Sequence, residues 1–173
     1  MTGPAPGPAP GLGARGRRIA IVASRFHESI TTRLVAGARR TLEAHGVRPA
    51  DVLVVWVPGA FELPQVAARL AAAGDVDALV CLGCVIRGET PHFDYVAGEA
   101  ARGIAEVGRV SGVPTTFGVI TAESRAQAEA RAGGTVGNRG EEAAQAALEL
   151  LALFASLPGR GRRPGRTRAR GAR

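Results

Sequence analysis

The chain predicts an α/β protein: a three-layer α/β/α sandwich around a four-stranded parallel sheet. Two observations predict it. Four short apolar runs alternate with segments of helical periodicity, the pattern of strand–helix units that close into a parallel sheet with helices on both faces. The ends of three of those runs carry clusters of Gly, Pro, Arg, His and Glu, and doubly wound sheets build ligand sites at the carboxyl ends of their strands.

The elements follow in order. Ile19 to Ala23 is an uninterrupted apolar run, as a strand buried on both faces requires. Ile30, Leu34, Ala38 and Leu42 then recur every four residues, and Gly46 closes that helix. Val52 to Val57 is the second strand, stopped by Pro58-Gly59. Phe61 to Ala73 is the second helix, with Pro64 tolerable only in a first turn. Ala78 to Ile86 is the third strand, and Phe93 to Val110 is the helix after it. Thr115 to Ile120 is the fourth strand, and a helix from Ala122-Glu123-Ser124 runs to about Ala132. Glu141 to Leu157 is a last, apolar helix. The expected domain is residues 19–158, with a Pro/Gly/Arg-rich arm over 1–18 and an Arg-rich tail over 159–173, both expected to be disordered.

Charge is distributed unevenly. The net charge is +7, and all 22 basic residues are arginine. Seven of these arginines lie after Gly159 with no acidic residue among them, and Arg15, Arg17 and Arg18 add three near the front. Residues 19–158 hold 12 arginines against 15 acidic residues, a net of −3. A nucleic-acid-binding body would be basic, and this one is not. The tail is read as a solvated extension, with an anionic cargo or RNA contact as its sharper alternative. Without lysine the chain cannot form an enzyme Schiff base. Any imine must use an amine that a substrate brings.

Cys81 and Cys84 have the C-x-x-C spacing, but they fall inside a predicted strand, where residues three apart face opposite ways. They are read as two small buried hydrophobes. The opening residues lack a charged n-region followed by an apolar h-region, so no secretory signal is expected. No apolar run approaches the roughly 20 residues of a membrane span. Two cysteines in such a chain fit a reducing cytoplasm.

The chemistry concentrates between Arg87 and His92. This segment should form a loop at the carboxyl end of the third strand. It gathers an arginine, a glycine that frees backbone N–H groups, a hydroxyl and a histidine at the mouth of a helix, a set suited to an anionic ligand and proton transfer. There is no G-x-G-x-x-G and no G-x-x-x-x-G-K-[ST], so dinucleotide and P-loop readings fail.

Five stretches in order carry a resemblance to one family. They are Ser24-Arg25-Phe26, Pro58-Gly59-Ala60-Phe61-Glu62, Gly88-Glu89-Thr90-Pro91-His92, Phe117-Gly118-Val119, and the segment from Arg131 to Gly140. Together, over Ile19 to about Ala155, they resemble the lumazine synthases of riboflavin synthesis. That resemblance implies a flavodoxin-like sheet and no metal or organic cofactor. It also implies condensation of a pyrimidine substrate, 5-amino-6-(ribitylamino)uracil, with a phosphorylated butanone, 3,4-dihydroxy-2-butanone 4-phosphate. The products would be 6,7-dimethyl-8-ribityllumazine and inorganic phosphate.

The resemblance also implies roles. Phe26 stacks on the pyrimidine, the alternative being a core aromatic. His27, where many relatives have asparagine, and Ala60 and Glu62 meet the ribityl chain, and Gly59 and Phe61 of the same motif are substrate-binding; Glu62 could instead only support the following helix start. Val85 and Ile86 line the ring pocket through backbone groups. Gly88, Glu89 and Thr90 form the phosphate loop, with Glu89 pointing away. Arg131, otherwise a solvated helix residue, grips the phosphate from a distant part of the chain. His92 is the general base and acid, because a histidine side chain titrates near neutral pH. Phe117 reaches into the neighbouring subunit's site, the alternative being a buried strand residue.

Departures from the family pattern are Thr135, where a basic residue is frequent, Arg139 in place of lysine, and Ala97-Gly98 in place of bulkier residues. The resemblance further implies a homopentamer. The short Gly133-to-Gly140 connection resembles that of relatives that build 60-subunit shells, and riboflavin synthase is the candidate enclosed partner. A non-catalytic shell of the same fold would show damage at Phe26, Glu62, His92 or Arg131, and all four are intact.

Overall fold

The computed structural model describes residues 13–157. The expectations for residues 1–12 and for the Arg-rich tail, 159–173, lie outside the described residues. Residues 13–18, assigned to the arm by composition, pack against the body. Ala14 is 4% exposed, and the Arg18 N–H donates to Asp77 Oδ2 at 2.7 Å.

The strands are β1 (Ile19–Ser24), β2 (Val52–Val57), β3 (Ala78–Ile86) and β4 (Thr115–Ala122). They form one parallel sheet in the order β2-β1-β3-β4. The helices are α1 (Glu28–Ala44), α2 (Leu63–Ala73), α3 (His92–Ser111), α4 (Arg125–Ala130) and α5 (Arg139–Ser156). The result is the expected three-layer, flavodoxin-like α/β/α sandwich. The odd residues of β1, Ile19, Ile21 and Ala23, pack with α1 and α5 through Leu34, Leu42, Ala144 and Leu148. Its even residues, Ala20 and Val22, pack with α2 and α3 through Leu63, Ala67, Ile104 and Val107. A strand covered on both faces reads as a continuous apolar run, which is why β1 was legible. Cys81 and Cys84 fall in opposite cores, as alternation requires.

Several boundaries differ from the expectation: β4 runs on to Ala122, where a helix was expected to open, and Phe61 and Glu62 lie in a 3₁₀ turn before α2. The segment read as helix out to Ala132 ends at Ala130, after which β5 (Ala132–Gly134) and β6 (Gly137–Asn138) form an antiparallel hairpin. Gly133 and Gly137 take φ of 92° and 103° there, the left-handed region open to glycine. Helix α5 starts two residues early because Asn138 caps it. The Asn138 Oδ1 accepts from the Gly140 N–H at 2.8 Å, and its Nδ2 donates to Arg33 O at 3.1 Å on α1. Among the described residues no helix is long and apolar enough to cross a membrane.

Candidate active site

The sheet order places the site. From β1 the chain adds β2 on one side and then β3 on the other. The helices after β1 and β3 therefore diverge and leave a crevice at the carboxyl ends, the switch point where such sheets bind ligands. Two backbone bonds join the ends of β1 and β2: the Arg25 N–H donates to Val57 O at 2.8 Å, and the Phe26 N–H to Pro58 O at 3.1 Å. That zipper sets Phe26 and His27 beside the 3₁₀ turn Ala60–Glu62. On the other side, the Arg87 N–H continues the β3–β4 pairing to Ala122 O at 2.9 Å, and the loop after it leads into α3.

A cavity of about 550 Å³ lies between these loops, inside the usual range for small-molecule sites. Phe26, His27, Gly59, Ala60, Phe61, Glu62, Val85, Ile86, Gly88, Thr90 and His92 all line it. Sequence reasoning missed four more lining residues: Cys84, Phe93, Tyr95 and Val96. Tyr95 and Val96 stand three and four positions after His92 on α3, so helical spacing from that histidine could have found them. Glu89, Phe117 and Arg131 do not line it. Glu89 is exposed on the loop. Arg131 turns back on α4, its Nη1 donating to Gln127 O at 3.0 Å. Phe117 is 44% exposed on β4, so it is not a buried strand residue.

The side chains divide into a ring platform, a polar wall and a loop at a helix start. Phe26 is 68% exposed, which removes the core-aromatic alternative, and its ring meets His27 edge to face, 4.9 Å between centroids. Glu62 does two things: its Oε2 accepts from the Gly59 N–H at 2.8 Å, and the residue lines the cavity. A side chain at Gly59 would place its Cβ 3.1 Å from that oxygen, a tight contact that the Glu62 carboxylate would have to relieve by a small shift. His92 is the exposed first residue of the 20-residue α3. The free N–H groups and dipole of that helix start favour an anion. The other histidine with a structural expectation, His45, sits at the end of α1, its Nδ1 2.8 Å from Thr41 O.

The arginine of the loop does not serve as expected. Arg87 was grouped with the anion-binding residues, but its guanidinium pairs with Asp94 and Glu123. The thiols are also held out of chemistry. Burial pushes Cys81 up to about 12. It pushes Cys84 up to about 11, against the opposing charge of Arg125.

His27 is unusual in two respects. It occupies the left-handed region at φ 59°, ψ 45°, just before α1, where asparagine and histidine are enriched among non-glycine residues. Burial, and then the nearby Arg125 charge, lower its pKa below 6.5. The unfolded chain therefore binds more protons than the folded one as pH falls below that value, and stability drops with falling pH. A His27→Asn variant, which suits the same backbone, removes this loss. Thermal melts should show the variant gaining on wild type as pH falls from 7.5 to 5. A gap that does not change with pH would contradict the assignment.

Taken together, the fold and cavity define a doubly wound α/β protein with a cavity of small-molecule size at the switch point. Residues 16–155 match the family model described as 6,7-dimethyl-8-ribityllumazine synthase, and the chain belongs to that family. The family supplies a transferase of riboflavin biosynthesis.

Proposed function

We propose that this chain condenses 5-amino-6-(ribitylamino)uracil with 3,4-dihydroxy-2-butanone 4-phosphate to 6,7-dimethyl-8-ribityllumazine, releasing inorganic phosphate. The observation that carries this reading is one cavity that gathers an exposed phenylalanine, a carboxylate, a glycine loop at a helix start and a histidine from three strand ends.

Each group has a task. Phe26 stacks on the pyrimidine, since an exposed ring face beside an apolar cavity is a binding platform. Glu62 accepts hydrogen bonds from the ribityl hydroxyls with the lone pairs that Gly59 leaves free. His27 and Ala60 border the same chain. Val85 and Ile86 close the ring pocket with their backbone groups, where β3 ends. The N–H groups of Gly88 and Thr90 hold the phosphate, with Glu89 directed away from it. The pyrimidine's own amine attacks the butanone carbonyl, which agrees with a chain that has no lysine. His92 takes and returns the protons of imine formation, phosphate elimination and ring closure.

Phe117 and Arg131 are assigned to the cavity of a neighbouring subunit, because neither reaches the cavity of its own chain. That assignment requires an oligomer, which we take to be a pentamer and, through the short hairpin connection, a 60-subunit shell. Leu53, Val136, Leu153 and Phe154 are large apolar side chains left exposed on one chain, and burial between subunits accounts for them. Two free, buried thiols fit the reducing cytoplasm.

Expression of the chain in a riboflavin auxotroph lacking lumazine synthase tests the reaction. Growth without added riboflavin is expected, and its absence despite folded protein would oppose the proposal. Mixed assembly tests the shared site. Subunits carrying His92→Ala and subunits carrying Phe117→Ala, each weak alone, should recover activity when refolded together. No recovery in mixed oligomers would contradict the assignment of Phe117 to a neighbouring subunit's site.

A further inference from the structure

Arg87, the one arginine of the loop, does not line the cavity, and two carboxylates take up its guanidinium. Its Nε donates to the two Glu123 carboxylate oxygens at 3.2 and 2.9 Å. Its Nη1 and Nη2 donate to the two Asp94 oxygens at 3.2 and 3.1 Å. Its guanidinium carbon lies 4.2 Å from the centre of the Phe93 ring, and Phe93 lines the cavity. One side chain thus joins the end of β3, the residue after β4 and the first turn of α3.

The loop between is closed by that contact. The chain leaves at Arg87, passes through Gly88, Glu89, Thr90, Pro91 and His92, and returns to the same guanidinium at Asp94. A lone exposed ion pair contributes little. Here a bidentate pair with Asp94, an Nε–H shared between the two Glu123 oxygens and a ring face meet one planar group, a geometry that arginine makes and lysine does not. Two carboxylates also outweigh the one guanidinium, so the cluster offers no net positive charge to a phosphate.

We infer that Arg87 is a positioning residue for the phosphorylated substrate. It preforms the Gly88–His92 loop, so that the N–H groups at the start of α3 and the His92 imidazole are set before substrate arrives, and it does not bind the anion itself. The inference rests on the lumazine synthase reading for the identity of that substrate.

Arg87→Lys and Asp94→Asn separate the alternatives. For a positioning role, each should raise KM for the phosphorylated butanone by about 5- to 20-fold, with KM for the pyrimidine changed less than about 2-fold. The double variant should do little more than either single change, because both break one unit. If Arg87 instead held the phosphate, freeing it from Asp94 would lower KM for the butanone, and lysine would largely serve in its place. Either result overturns the inference. A fall in kcat alone, with both KM values unchanged, would mean that Arg87 sets His92 but not the phosphate-binding amides, and would overturn its assignment to the phosphorylated substrate. Hydrogen exchange of the amides of residues 88–94 without substrates tests the loop separately. Faster exchange in both variants supports preformation, and unchanged exchange overturns it. Absence of lumazine formation by the wild-type chain would instead remove the reading on which the substrate identity rests, and the exchange result would still decide the loop.

Discussion

A His92→Ala variant should form lumazine about 10²-fold more slowly than wild type, the lower end of the range for general acid–base catalysis. His92 is exposed at the mouth of the cavity, so water and buffer can carry some of its protons, and this limits the loss. The pyrimidine platform of Phe26 and Glu62 is untouched, and KM for the pyrimidine should hold. Steady-state kinetics at neutral pH reads both. A loss that appears only in KM for the pyrimidine would make His92 a binding residue. Added imidazole should restore part of the rate if a proton carrier is what the variant lacks.

The second large effect lies away from the site. Gly140, in the first turn of α5, packs so closely on α1 that a Cβ there would overlap the backbone of Leu34, with the Leu34 Cα only 2.9 Å away. Backbone cannot swing aside as a flexible side chain does. Gly140→Ala must therefore push α5 off α1 and strain the Asn138 cap, which bonds the Gly140 N–H and the Arg33 carbonyl. Overpacking of this kind costs about 3 kcal/mol, the upper end of its usual range. For a domain of this size that lowers the melting temperature by about 6–12 °C. A melt within about 2 °C of wild type would mean that the α1–α5 contact gives way more easily than its geometry implies.

What could be read from sequence follows from where the physics is local. The bounds of β2 and β3 coincide with their apolar runs because buried strands leave an uninterrupted signature that Pro58-Gly59 and Arg87-Gly88 then break. The β5–β6 hairpin has no such signature: it is three and two residues long, mostly glycine, and its pairing is decided by the turn between. Phe26, Glu62 and His92 were legible because each sits just beyond a strand, where the topology alone gathers side chains. Arg87 was misread because its partners are not local. Asp94 is seven residues on and Glu123 thirty-six, and only the parallel pairing of β3 with β4 brings the latter near. Phe117 and Arg131 were named from motif matches, and a single chain gives neither a route into its own cavity. Cys84 and Val96 were missed because an apolar residue lining a cavity and one filling a core look alike in sequence.

The central claim is tested most directly by mixing the purified, assembled full chain with 5-amino-6-(ribitylamino)uracil and 3,4-dihydroxy-2-butanone 4-phosphate at neutral pH. Lumazine is followed by absorbance and released inorganic phosphate is assayed in parallel, both against a protein-free blank. The expected result is lumazine and phosphate in equal amounts at a rate well above the blank. A blank-level rate from folded, assembled protein would contradict the assignment and leave the chain a scaffold of the same fold.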